Sequence, residues 1–150
     1  MSPGRPTEQL STTVVAPVWK RGYEWAYRWQ SPTGSGTFVW SVHRKETVGN
    51  VRAWVVRAGT TRKIYYGIPD LQLLFETVDG VVETRYTPGL TLYRWPITPG
   101  LRWEHQYLRE RPLERQTEQR HFVCRVGDQE PQHVVPAGTF VAIALNAVTS

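Results

Sequence analysis

Four aromatic residues, Tyr23, Trp25, Tyr27 and Trp29, occupy every second position of one short stretch, separated by Glu24, Ala26 and Arg28. Side chains of an extended chain alternate between two faces, whereas those of a helix return to one face every three or four residues. The rings therefore gather on one side only if residues 23 to 29 form a strand, oily on one face and mostly wet on the other. Phe38, Trp40 and Val42 repeat the pattern opposite Ser41, His43 and Lys45.

Turn signals divide the rest of the chain into similar pieces. Gly49-Asn50 separates two extended segments, so 37 to 48 and 51 to 58 should form one long hairpin, with glycine first as a type II′ turn prefers. Gly59-Thr60-Thr61 leads to Ile64, Tyr65 and Tyr66, after which Pro69-Asp70 breaks the strand and Leu71 starts the next. Asp79-Gly80, between two valine-bearing stretches, is the dipeptide that a type I′ turn demands. Pro88, Gly89, Pro96, Pro99 and Gly100 make 87 to 100 an irregular crossing, since proline cannot donate to a ladder. Alternation resumes at Leu101, Trp103, His105 and Tyr107, and the charged tip 109 to 112 turns the chain into 113 to 126. A last turn at Pro136-Ala137-Gly138-Thr139 feeds an apolar run, Phe140 to Val148, expected to be buried on both faces.

No stretch of ten residues carries apolar positions at helical spacing with a cap. Without helices to cover it, a sheet must cover itself. A twelve-residue strand spans ~40 Å, too long to stay flat over a small core. The expected fold is all-β, a curved antiparallel meander of long hairpins forming a half-barrel, barrel or strongly bent sheet.

At 150 residues, 40 % of them hydrophobic and including seven Trp and seven Tyr, the chain suits one core. Residues 1–17, rich in Ser, Thr and Pro, read as a flexible leader, and 18–150 as a single β domain. The net charge of +5 comes from fifteen Arg and three Lys spread along the chain, with no recognition helix or zinc finger, so no nucleic-acid partner is expected. One cysteine, Cys124, excludes an internal disulfide and leaves the redox compartment open. No apolar run approaches the ~20 residues of a membrane-spanning helix.

The chemistry-bearing residues are sparse. Asp70, Asp79 and Asp128 fall at turns, which explains them without catalysis. The four histidines are far apart, and His121 and Cys124 would point to opposite faces of a strand, so neither a metal site nor a cofactor is expected. No phosphate loop or nucleophile elbow occurs. For an enzyme with an unrecognised site, Glu104, His105 and His121 are the best nominees, because 101 to 108 and 113 to 126 should pair. The aromatics allow two readings. They form a packed core, or Tyr23, Trp25, Tyr27, Trp29, Phe38, Trp40, Tyr93, Trp95 and Trp103 include the walls of a site for an apolar ligand such as a lipid. Tyr93, Trp95 and Ile97, among prolines, would cap a cavity mouth, meet a partner or plug the end of a barrel.

Three segments carry a family resemblance: residues 19 to 27 (WKRGYEWAY), 95 to 104 (WPITPGLRWE) and 134 to 140 (VVPAGTF). They resemble a group of uncharacterised bacterial cell-envelope domains, many of them lipoprotein-like, over roughly residues 17 to 142. The resemblance implies a curved antiparallel sheet of half-barrel form, a periplasmic or envelope location, no assigned catalytic residues, and a lipid, another apolar ligand or an envelope protein as partner. Unlike many of that group, this chain has no N-terminal acylation cysteine. Similar proteins continue through a further aromatic hairpin, so the resemblance implies that 18–150 is either a short member or one lacking C-terminal closing strands. The function expected is that of a non-catalytic envelope module, with a polysaccharide-binding module and an enzyme as alternatives.

Overall fold

The aromatic stretch becomes the first strand of a nine-stranded sheet in the computed structural model, which describes residues 13–135 and 138–150. The strands are β1 (Glu24–Ser31), β2 (Gly34–Val48), β3 (Val51–Ala58), β4 (Arg62–Gly67), β5 (Leu73–Val78), β6 (Val81–Leu90), β7 (Arg102–Arg111), β8 (Gln116–Val135) and β9 (Gly138–Thr149). Each pairs antiparallel with its neighbours in sequence, giving the order β1 through β9 without a crossover. A 3-10 turn, Pro112–Glu114, interrupts the meander between β7 and β8.

The turns follow their local chemistry. Gly49 takes φ 60° in the two-residue link between β2 and β3, and Asp79 and Gly80 both take positive φ, 52° and 78°, as a type I′ turn requires. β2 starts at Gly34, β7 runs on to Arg111 and β8 spans Gln116–Val135, and two further departures from the sequence reading have a local cause. Leu71 does not begin a strand: it sits at φ 59° in a turn closed by Leu71 N–H to Gly67 O and Gly67 N–H to Gln72 O, both 2.8 Å, so β5 starts at Leu73. β6 continues through Pro88 to Leu90, because the ladder to β5 skips from Phe75↔Arg85 to Leu73↔Leu90 and asks nothing of the proline. The irregular crossing therefore begins at Thr91.

β1 and β9 are the two edges, and no ladder joins them among the described residues, so the sheet is curved but open and the closed-barrel alternative is set aside. Register shifts place extra residues in β2, β5, β6 and β8 and bend them. Curling brings strands far apart in the order into one concave core, where Val56, Ile64, Trp103, Phe122, Cys124 and Val126 are buried together and Trp25 and Trp40 pack against them. Val42, Trp54 and Leu71 extend that core. On the convex side Ala53, Val55 and Tyr65 form a smaller cluster, with Tyr65 and Phe75 stacked at 4.1 Å. β3 is consequently buried on both faces.

The shift in β2 has a specific effect. Val42 pairs with Val56 but Arg44 pairs with Val55, so His43 is an extra residue. Beyond it Lys45 shares the face of Trp54, its ammonium 5.0 Å from the indole centroid, while Arg44 and Glu46 form an ion pair on the side of Val55.

The C-terminal run is not buried on both faces where it is described. Val148 is 68 % exposed and Leu145 is 38 % exposed, because β9 is an edge with a partner on one side only. The side chains of 140 to 144, and the turn residues Pro136 and Ala137, lie outside the described residues. The segment before β1 is tied down at Val14, which exchanges two backbone hydrogen bonds with Ile97, 2.8 and 2.7 Å. Among the described residues no helix is long and apolar enough to cross a membrane.

Candidate aromatic cavity

Strand parity puts Trp25 and Tyr27 of β1 beside Trp40 and Phe38 of β2, since Trp25↔Trp40 and Tyr27↔Phe38 are directly paired. The chain crosses in front of them twice, once as 14 to 19 and once as 93 to 97, with Val14 bridged to Ile97. Between these layers lies a half-open cavity of about 410 Å³. Seven aromatic residues line it: Trp19, Trp25, Tyr27, Trp40, Tyr66, Tyr93 and Trp95. Val14, Pro17, Val56, Leu71, Ile97 and Leu145 complete the described lining, in which no side chain is charged. Leu145 belongs to β9 and Trp25 to β1, so the cavity is bordered by both open edges of the sheet.

The rings hold one another in place. Trp19 meets Trp25 at 5.0 Å and Tyr66 at 5.3 Å, both edge to face, and Tyr27 meets Trp40 at 5.3 Å in the same manner. Tyr93 packs on Trp95 at 5.3 Å. Trp95 Nε1 donates to the Asp70 carbonyl at 3.0 Å, which anchors the crossing loop to the turn before β5. Edge-to-face pairs of this kind contribute about 0.5–1.5 kcal/mol each beyond the area they bury. Burial raises the pKa of the Tyr66 hydroxyl, and the nearby Tyr93 and Tyr27 hydroxyls, which would ionise beside it, push it further. The Tyr93 hydroxyl is raised by burial too. All three phenols thus stay neutral, as weak hydrogen-bonding points in an apolar wall.

The nine aromatic candidates divide. Trp25, Tyr27, Trp40, Tyr93 and Trp95 line the cavity. Phe38 stacks on Tyr27 at 5.0 Å, and Tyr23 and Trp29 are exposed on the β1 face, with the Trp29 indole lying over Gly36 so closely that a Cβ there would meet Nε1 at 2.7 Å. Trp103 is core: it is 3 % exposed and its Nε1 donates to the Thr91 carbonyl at 3.1 Å. Trp19, Tyr66 and Leu71 were not among the candidates. Tyr66 was within reach of parity, since it shares a face with Ile64; Trp19 and Leu71 lie in irregular segments, where periodicity gives no direction.

The nominated acid–base group does not assemble as three. Glu104 Oε2 lies 3.5 Å from His121 Nε2 on the exposed convex side, where Arg102 also hydrogen-bonds Glu104 and, with His121, holds its carboxyl below the usual range. His105 points the other way, paired opposite Phe122 and stacked 5.9 Å from Tyr107. Among the described residues no three His, Cys, Asp or Glu side chains gather as a metal site would need. Cys124 is buried in the concave core.

No protein family, curated protein or solved structure matches the chain.

Proposed function

We propose that this domain is a non-catalytic binding module of the bacterial envelope whose aromatic cavity takes up an apolar ligand. The supporting observation is the wall itself: seven rings and, among the described residues, no charged side chain around about 410 Å³. Ligand sites are typically concave, largely apolar and carry a few convergent polar groups, here the three phenols. An apolar cavity of about 150 Å³ holds one benzene, so the space accommodates a ligand of about two to three such rings, or a chain of similar volume. The envelope setting draws its support only from the resemblance of residues 19 to 27, 95 to 104 and 134 to 140 to segments of envelope domains.

Native mass spectrometry of the purified protein, followed by organic extraction, tests the reading. A small apolar molecule should travel with the folded chain, and Trp25→Ala or Trp95→Ala should weaken its binding about tenfold, the equivalent of one lost aromatic stack. Retention of full affinity in both variants would reject the cavity as the site.

A second reading has its own observation. Tyr27 and Phe38 are near-parallel, 21° apart, and about two-fifths exposed, with Trp29 nearby, a surface on which a sugar ring can stack. Glycan titration separates the two: quenching that survives Trp95→Ala and disappears in Phe38→Ala favours the glycan surface over the cavity.

A further inference from the structure

Independently of any ligand, β1 has the makings of a docking edge. All eight of its residues pair with β2 without a register shift, so its outer side is regular. It carries no proline, lysine or bulge, the devices by which exposed edges are usually protected. Tyr23 O accepts from Val42 N–H at 2.7 Å, so the backbone groups of odd-numbered residues face β2. Those of Glu24, Ala26, Arg28 and Gln30 therefore face outward, because the direction alternates along a strand.

The sequence around Ala26 is antisymmetric. Reading outward in both directions, aromatic residues Trp25 and Tyr27 come first, then Glu24 against Arg28, then Tyr23 against Trp29. A second copy of β1 laid antiparallel with Ala26 opposite Ala26 sets Glu24 of each chain against Arg28 of the other. It also sets ring against ring at every odd position. Opposite charges and aromatic pairs directly across strands are both stabilising, and like charges there are not. This register also matches the backbone, since Glu24, Ala26 and Arg28 are the residues whose free groups point outward; about six hydrogen bonds form across the two-fold axis. Both charged residues are exposed, and neither has an ion-pair partner within its own chain among the described residues.

We propose that two copies of this chain associate through β1, antiparallel and centred on Ala26, joining the two sheets edge to edge. The contact is isologous and closes at two. The other edge lacks these features: β9 has no charged residue to choose a register, and its ladder to β8 is twice shifted.

Sedimentation equilibrium of the full chain over a concentration series tests this. A monomer–dimer equilibrium is expected, weakened about tenfold or more by Glu24→Arg alone or Arg28→Glu alone and restored by the double exchange E24R/R28E, which recreates both pairs with their signs swapped. Under mild oxidation Ala26→Cys should give a disulfide-linked dimer, while Gln30→Cys, far from its own counterpart in this register, should not. A monomer at every concentration, a dimer indifferent to both single reversals, or open-ended association of the kind a β1-to-β9 contact would produce each overturns the proposal.

Discussion

β1 and β3 are both eight-residue strands rich in bulky side chains and have opposite fates. In β3, Ala53, Trp54, Val55 and Val56 are all buried, whereas in β1 only Trp25 is even half-buried, despite the heavier aromatic load. The difference lies in the neighbours. β3 is flanked by β2 and β4 and covered on both faces, on the concave side by Val42 and Leu71 and on the convex side by Tyr65 and Val48. β1 has a strand on one side only. Side-chain alternation decides which residues share a face; strand order decides whether that face is covered.

Substitutions can break that comparison. Trp54→Ala should cost the most, about 3–5 kcal/mol in chemical denaturation, as expected for an aromatic removed from a closed core. A loss below about 1 kcal/mol would mean β3 is not the centre of the fold. Next comes Tyr66, between the two regions. Its hydroxyl pKa is raised in the folded state, first by burial, so its contribution to stability is whole below pH 10 and declines as pH rises beyond that. The unfolding midpoint measured from neutral pH upward should drop above pH 10, and less steeply in Tyr66→Phe. Gly36→Ala, which displaces the Trp29 indole from the β1–β2 surface, should shift tryptophan emission and cost up to about 1 kcal/mol. Tyr23→Ser, on the exposed end of the same face, should fall within about 0.5 kcal/mol of the parent.

The fold was largely legible because its signals are local. Asp79-Gly80 and Gly49-Asn50 specify their turns by backbone chemistry, and the odd-numbered rings of β1 specify a strand without reference to anything distant. The burial of particular rings was not legible. Trp103 and Trp29 both alternate with polar residues, yet one is sealed and the other open, and only the curl of the sheet separates them. The cavity was half legible for the same reason: its strand-borne walls follow parity, while Trp19 and Leu71 arrive from segments whose paths depend on tertiary contacts such as the Val14–Ile97 bridge. The apolar run in β9 misled because uninterrupted hydrophobicity signals burial in a central strand and says nothing of an edge.

His43 in β2 acts like an inserted letter in a text read two characters at a time. Upstream of it even-numbered residues turn toward the hollow of the sheet; downstream the odd-numbered ones do. Were that residue drawn into plain pairing opposite Val55, Arg44 and Glu46 would move to the side of Trp54 and Lys45 would turn outward, whereas deleting it restores simple alternation and leaves each later residue on its present face. The strand's meaning therefore resides in its phase, and the extra residue at 43 is what lets the even-numbered Val42 and the odd-numbered Lys45 share one side of the sheet.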